Sequence, residues 1–249
     1  MADGVADERA RRRRRTDCPS ETLSRYECAL RELRNGSRKL RSLAEARDTR
    51  RAQLAPVLAD VFTRSSTHLK EHLRACYDVD ADVFVQLVDP PNRPHDPPSA
   101  FRVLAGSTWL PTEPMDWSTS PHLRRLFYSQ GEGQDAETDY LTVDARRPDR
   151  RGESTFRGGL SVVLRYGLVD PAPNGRRAPD ITGFVSVLTG EQLGEHLEAP
   201  IIHCLRCYAF AATAVFATYE LGGALVDSRH SVKRVFGNLA RMFKVPGVG

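Results

Sequence analysis

Two apolar runs and the helix written after them constrain this chain most. The first run is Gly159-Leu-Ser-Val-Val-Leu-Arg-Tyr166 and the second is Ile181-Thr-Gly-Phe-Val-Ser-Val-Leu188. Between them lies Asp170-Pro-Ala-Pro-Asn-Gly-Arg-Arg-Ala-Pro-Asp180, whose prolines and glycine read as a loop. Strand alternation puts Leu160, Val162, Leu164 and Tyr166 on one face of the first run. It puts Ile181, Gly183, Val185 and Val187 on one face of the second, with Phe184 and Leu188 on the other. Apolar residues on both faces predict a sheet covered on both sides. A long helix is expected from Pro200 to Leu221, with Ile201, Leu205, Tyr208, Ala212, Val215 and Tyr219 on one stripe. Gly222-Gly223 reads as its end. The predicted kernel is a pair of neighbouring antiparallel strands roofed by that helix, in an α+β fold.

The rest of the chain is read around this kernel. Residues 1–19 are charged, contain Arg11-Arg-Arg-Arg-Arg15, and read as a disordered basic tail. A helix is expected from Ser20 to Arg34, with Ser20 as its cap and Leu23, Tyr26, Leu30 and Leu33 as a two-heptad seam. Asn35-Gly36-Ser37 is expected to interrupt it. A second helical stretch covers about 38–76, and Pro56 should restart or kink it because proline lacks an N–H donor. Residues 20–56 are therefore expected to form a helical, coiled-coil arm that projects or pairs with a partner. Ala81-Asp-Val-Phe-Val-Gln-Leu-Val88 and Phe101-Arg-Val-Leu-Ala105 read as strands, separated by a loop with five prolines at 90–98. Ser120-Pro-His-Leu-Arg-Arg-Leu-Phe-Tyr128 opens a helix capped by Ser120, and Asp139-Tyr-Leu-Thr-Val143 is a short strand. The predicted divisions are 1–19, 20–56, a main domain at 57–222, and a basic amphipathic tail at 223–249.

Charge and cysteine usage narrow the class. Residues 1–75 carry 18 Lys/Arg against 11 Asp/Glu, and the remainder carries 18 against 21, so the basic excess belongs to the arm. Either an acidic partner surface or simple solvation accounts for the arginine run, and with no aromatic interleaved it does not favour nucleic acid. Five cysteines do not make a disulfide framework, so a reducing cytoplasm is expected. No secretory signal and no membrane span are expected.

The order of elements resembles a GAF domain. The resemblance rests on Phe156-Arg-Gly-Gly-Leu-Ser-Val-Val-Leu-Arg165 followed by Asp180-Ile-Thr-Gly-Phe-Val-Ser-Val-Leu188, similar to the family's central strand pair. Ser120-Pro-His-Leu-Arg-Arg125 is similar to the helix that precedes its pocket strand. It covers about residues 57–222, and PAS domains share the architecture. It implies a GAF-like antiparallel sheet flanked by helices, and a non-enzymatic cytoplasmic signalling or regulatory module that receives a ligand or dimerises. The implied pocket segment is 106–143. The sequence lacks the Asn-Lys…Phe…Asp-Glu set of cyclic-nucleotide-binding members, and residues 77–203 hold no cysteine, unlike bilin-binding and methionine-sulfoxide-reducing relatives. No cofactor is named by it.

Three chemical readings stay open. Trp109, Trp117, His122, Phe127, Tyr128 and Tyr140 either line a small-molecule pocket or fill it themselves. His203, Cys204 and Cys207 are either core residues of a helix or a thiol redox or metal site, though zinc needs ligands from a second segment. No Gly-x-Ser-x-Gly, His-Glu-x-x-His or Gly-x-x-x-x-Gly-Lys occurs, so catalysis has no support. The expected function is a regulator that binds a small ligand or partner and associates, as a homodimer or with another protein, through its N-terminal helices. The alternatives are a ligand-free scaffold that binds through its basic arms, and a thiol-based redox or metal sensor.

Overall fold

The computed structural model describes residues 20–46, 49–89, 100–106, 115–116, Leu123, Leu126, 140–144, 158–165 and 181–242. The basic run at 11–15, the proline loop at 90–98, the insert at 170–180 and the caps at Ser120 and Pro121 lie outside these residues.

Six strands form one sheet: β1 (Ala81–Asp89), β2 (Ala100–Gly106), β3 (Met115–Asp116), β4 (Tyr140–Asp144), β5 (Gly158–Arg165) and β6 (Ile181–Thr189). Their order is β3-β2-β1-β6-β5-β4, and each neighbouring pair is antiparallel. The expected pairing of the two apolar runs is present, with Leu160 opposite Val187, Val162 opposite Val185 and Leu164 opposite Gly183. β6 also pairs with β1, so the first and last strands meet at the centre of the sheet. β2 bulges beside Val85 and Gln86, which leaves Leu104 without an opposite residue.

Both faces are covered, as the alternation predicts. One face presents Val83, Val85, Leu160, Val162, Leu164 and Val187 to a core shared with three helices. The other presents Phe84, Val88, Phe101, Val103, Val163 and Phe184 to a second core roofed by Leu123 and Leu126, two helical residues. The helices are α1 (Ser20–Glu45), α2 (Leu54–Tyr77) and α3 (Glu195–Met242). Leu33, Phe62, Leu69, Leu73, Leu205 and Tyr208 are fully buried in the helical core. Burial of each such side chain stabilises by about 1.5–3 kcal/mol.

Several expectations are corrected by this layer. The N-terminal helix does not stop at Asn35-Gly36-Ser37 but continues to Glu45. Gly36 is a crossing point: a Cβ there would meet Val61 Cγ1 at 2.4 Å, so its missing side chain lets α1 lie close on α2. Nor is the helix a projecting arm. Ala29, Leu33, Leu40 and Ala44 are buried against α2 and α3, and Arg25 pairs with Glu71. The helix expected to end at Gly222-Gly223 runs from Glu195 to Met242, taking in most of the expected tail. Gly222 faces Ala44, whose Cβ would lie 2.9 Å from an added Cβ. Pro56 falls in the first turn of α2, where the missing N–H breaks no helical bond, so it marks a start and not a kink.

Polar links fasten the layer. Arg229 of α3 donates to the Ala44 and Glu45 carbonyls at 2.8 and 3.0 Å, satisfying the open end of α1. Arg51 bridges Glu220 and Asp227, each at 3.0 Å. Lys70 joins Asp82 at 2.8 Å and ties α2 to β1. α2 ends at Asp78, held left-handed at φ 56° with its N–H on the Arg74 and Leu73 carbonyls. No membrane span was expected, yet over Glu195–Ser231 α3 is long and apolar enough to cross a membrane by length and composition, with half of its most apolar window buried.

Candidate functional site

Of the six expected pocket residues, Trp109, Trp117, His122, Phe127 and Tyr128 lie outside the described residues. Tyr140 is in β4, opposite Val162, and only its backbone is described. What is described on that side of the sheet is its floor. Alternation along β1 places Gln86 between Phe84 and Val88, both in the second core. Ser186 lies between Phe184 and Leu188 on β6, and Ser161 is two residues before Val163 on β5. All three polar side chains are buried. The two serine hydroxyls are 2.8 Å apart, and Ser186 donates to Gln86 Oε1 at 2.7 Å. A polar row thus crosses three adjacent central strands beneath Leu123 and Leu126. The sequence reading passed over it. The usable signal was there: a strand covered on both faces has no solvent side on which to put a serine or glutamine.

The three helical candidates do not converge. Cys204 points inward and is buried, while His203 and Cys207 are exposed, with Cys207 Sγ 4.0 Å from His203 Nε2. Cys204 instead joins residues from α1 and α2. Its Sγ is 3.5 Å from the Tyr77 hydroxyl and 3.9 Å from His72 Nε2, and its carbonyl accepts from the Tyr26 hydroxyl at 2.9 Å. His72 is buried between the Tyr26 and Tyr77 rings, with centroids 5.0 and 5.8 Å away, and its Nδ1 lies 3.4 Å from Cys76 Sγ. Cys76 is disulfide-bonded. Burial pushes the Cys204 thiol up, the nearby Cys207 adds to this, and the Tyr77 hydrogen bond opposes it. Burial likewise raises Tyr26 and Tyr77. A thiol held protonated in this way is a poor nucleophile and a poor metal ligand. Among the described residues no group of three His, Cys, Asp or Glu is placed to hold a metal ion.

The outer side of α3 is a different kind of surface. Phe210 is 82% exposed, Leu221 63% and Leu225 41%. Ala214 is exposed and Ala217 half-buried between the first two. Cys207, Phe210, Ala214, Ala217 and Leu221 are spaced 3-4-3-4, a seam for a second helix. It continues into a shallow groove against α1 lined by Arg41, Ala44, Thr218 and Leu225.

The architecture, a central antiparallel sheet with helices packed on one face and a helix-borne roof on the other, is consistent with a GAF-like fold. No protein-family model and no curated protein matches the chain. Solved structures of similar fold include the phycoerythrobilin-bound GAF domain of a cyanobacterial phytochrome, at TM-score 0.45 and 11% identity over 79% of this chain and 96% of that one. Another is the GAF domain of a phosphoenolpyruvate-protein phosphotransferase from Coxiella burnetii, at 0.40 and 14% over 78% and 98%. A third is a free methionine-R-sulfoxide reductase from Neisseria meningitidis with its substrate, at 0.38 and 12% over 69% and 90%. Likeness of this degree assigns no ligand and no reaction to this chain.

Proposed function

We propose that this chain is a non-enzymatic regulatory module on a GAF-like domain. It receives a small ligand on the sheet face under Leu123 and Leu126, and it pairs with a second copy of itself through α3. The observation that carries the reading is the exposed apolar seam on α3. It favours the outer face of the last helix as the association surface over the N-terminal helix, where Ala29, Leu33, Leu40 and Ala44 are buried in the fold.

A second copy is favoured as the occupant because the seam is self-complementary. Reversed about a point between Val215 and Phe216, Phe210 meets Leu221, Ala214 meets Ala217 and Cys207 meets Ala224. Large residues thus meet at the ends and small ones at the middle, which is what a two-fold, isologous contact requires. The two functions lie one layer apart. Val163 and Phe184 face the ligand side, while Leu164 and Val185, their neighbours in sequence, pack in the helical core. A ligand that prefers one packing of the sheet therefore biases the helices behind it.

Light scattering on the purified full chain tests this. The wild type should be a dimer, and Phe210→Glu a folded monomer with an unchanged circular dichroism spectrum. A wild-type monomer, or a dimer indifferent to both Phe210→Glu and Leu221→Arg, rejects the reading. A chain recovered only with lipid or detergent would assign the seam to a membrane instead.

A further inference from the structure

We infer that the outer face of α1 is a docking site for an acidic helix of a different protein, one that carries carboxylates at heptad spacing between two cationic residues. The inference goes beyond the proposed function, because none of its residues belongs to the α3 seam.

The outward side of α1 is a single charged stripe. Glu27, Arg31, Arg34, Arg38, Arg41 and Glu45 recur at 4-3-4-3-4 spacing, so they stand one above another along the helix. All six are exposed, while Leu33, Gly36 and Leu40 on the opposite side are buried. From Arg31 to Ser42 every exposed residue is a hydrogen-bond donor, with Asn35, Lys39 and Ser42 flanking the arginines. Glu32, the acid within that span, is partly buried. Solvation alone does not account for such a block. Like charges three and four residues apart weaken a helix, and the stripe holds three such pairs in a row. Elsewhere in this layer cations sit against carboxylates: Arg25 with Glu71, Arg64 with Asp60, and Arg51 with Glu220 and Asp227. Among the described residues none of the four stripe arginines has such a partner.

The order of signs selects the occupant. Arginine presents a planar fork that carboxylates and phosphates engage with two hydrogen bonds at once. The four arginines span about 15 Å of helix, at a rise of about 1.5 Å per residue, and a carboxylate closes each end. A continuous polyanion, such as a nucleic acid or an acidic membrane surface, would run over Glu27 and Glu45 and be repelled at both. Nor does the stripe offer an aromatic ring on which bases could stack. A helix with carboxylates at the same spacing meets all four arginines, and cations at its ends meet the two glutamates. The same pattern rejects a second copy of α1. The stripe reads alike in both directions, so two such helices oppose arginine to arginine whether they lie antiparallel or parallel in register. This fits an α1 that leaves self-association to α3 and reserves its own outer face for another chain.

The test uses the full chain labelled with 15N and two stapled helical peptides of one composition. The first carries four glutamates between two lysines at 4-3-4-3-4 spacing. The second has the same residues with the lysines moved in among the glutamates. A DNA duplex and phosphatidylserine vesicles serve as continuous polyanions. The first peptide should move the Arg34 and Arg38 Nε–H signals saturably, bind about ten-fold more tightly than the second, and weaken as salt rises. Arg34→Glu with Arg38→Glu should lose about ten-fold of that affinity, as two exposed ion pairs become repulsions, and regain it with a peptide whose two central glutamates are lysines. Equal binding of the two peptides to the wild type overturns the proposal, as do arginine signals that neither peptide moves. Tighter binding of the duplex or the vesicles than of the first peptide at the same salt also overturns it, and assigns the stripe to nucleic acid or to membrane. If the double variant fails to fold, Arg34→Gln with Arg38→Gln serves, and the wild-type comparison stands by itself. Phe210→Glu should bind the first peptide as the wild type does, so a failed stripe and a failed α3 dimer are read separately.

Discussion

Alanine at position 36 should destabilise the protein, although alanine is the better helix former. The gain in intrinsic propensity over glycine is about 1 kcal/mol. Against it stands the α1–α2 crossing. The new methyl would lie 2.4 Å from Val61 Cγ1 and 2.6 Å from Cγ2. Ordinary carbon contacts are about 3.5–4.0 Å, so relief requires a shift of roughly 1 Å. Val61 is buried and β-branched, held largely to one rotamer within a helix, so it has little room to turn aside. The helices must part, loosening contacts around Leu33 and Phe62. Overpacking of this kind costs about 1–3 kcal/mol. With a clash this short and a partner this stiff, the upper end applies, leaving a net loss of about 1–2 kcal/mol. Urea denaturation should show a lower midpoint with an unchanged slope. The thermal midpoint should fall by about 2–8 °C for a chain of this size. Adding Val61→Ala should make the double variant less destabilised than the sum of the singles, by about 1–2 kcal/mol. A Gly36→Ala protein as stable as the wild type, or more so, would refute the close crossing.

Other consequences are accessible to simple measurements. Iodoacetamide should alkylate Cys207 in the folded protein and leave Cys204 unmodified until denaturant is added, because Cys207 is exposed and Cys204 is buried; rapid labelling of Cys204 would revive a redox role. Tyr208 is fully buried, its hydroxyl 2.6 Å from Ser65 Oγ, and burial raises it to about 12, while the Ser65 and Ser66 hydrogen bonds pull the other way. Since the unfolded chain loses that proton near pH 10, stability should be unaffected below pH 10 and fall between about pH 10 and 12, by on the order of 3 kcal/mol. Tyr208→Phe should flatten that slope in urea titrations across the range, and an unchanged slope would contradict its burial. Arg51→Ala breaks the links to Glu220 and Asp227, but these are half-exposed, so the loss should be under about 1 kcal/mol and should shrink in high salt.

The sheet was legible in the sequence because period-two apolar runs bounded by loops admit few other readings. β5 and β6 pair as expected, and Ile201, Leu205, Tyr208, Ala212 and Val215 face the core as their spacing requires. The ends of α1 and α3 were not legible. A glycine that stops a helix and one that lets two helices touch are written alike, and only Val61 opposite Gly36 and Ala44 opposite Gly222 tell them apart. The same ambiguity hid the role of α1, whose seam served equally for a partner chain or for α2 and α3. The i, i+4 spacing of His203 and Cys207 correctly puts them on one helix face. Nothing local could show that Cys204 turns to His72, which is 132 residues away. The Gln86 row was obscured for a different reason. A single serine in a strand ordinarily marks the wet face, and that inference fails only when both faces are known to be dry.

The central claim, a two-fold contact along the outer face of α3, is tested most directly by the distance between Cys207 and its counterpart in the dimer. A spin label on Cys207, in a Cys28→Ser background and with the Cys207→Ser chain as blank, reports that distance by pulsed dipolar spectroscopy. Antiparallel helices centred between Val215 and Phe216 place the two positions roughly 25 Å apart along the axis, from a rise of about 1.5 Å per residue. A distance near this value that disappears in Phe210→Glu is the predicted result. A distance near 10 Å would mean parallel helices, and no intermolecular signal at all would mean that α3 faces something other than its own copy.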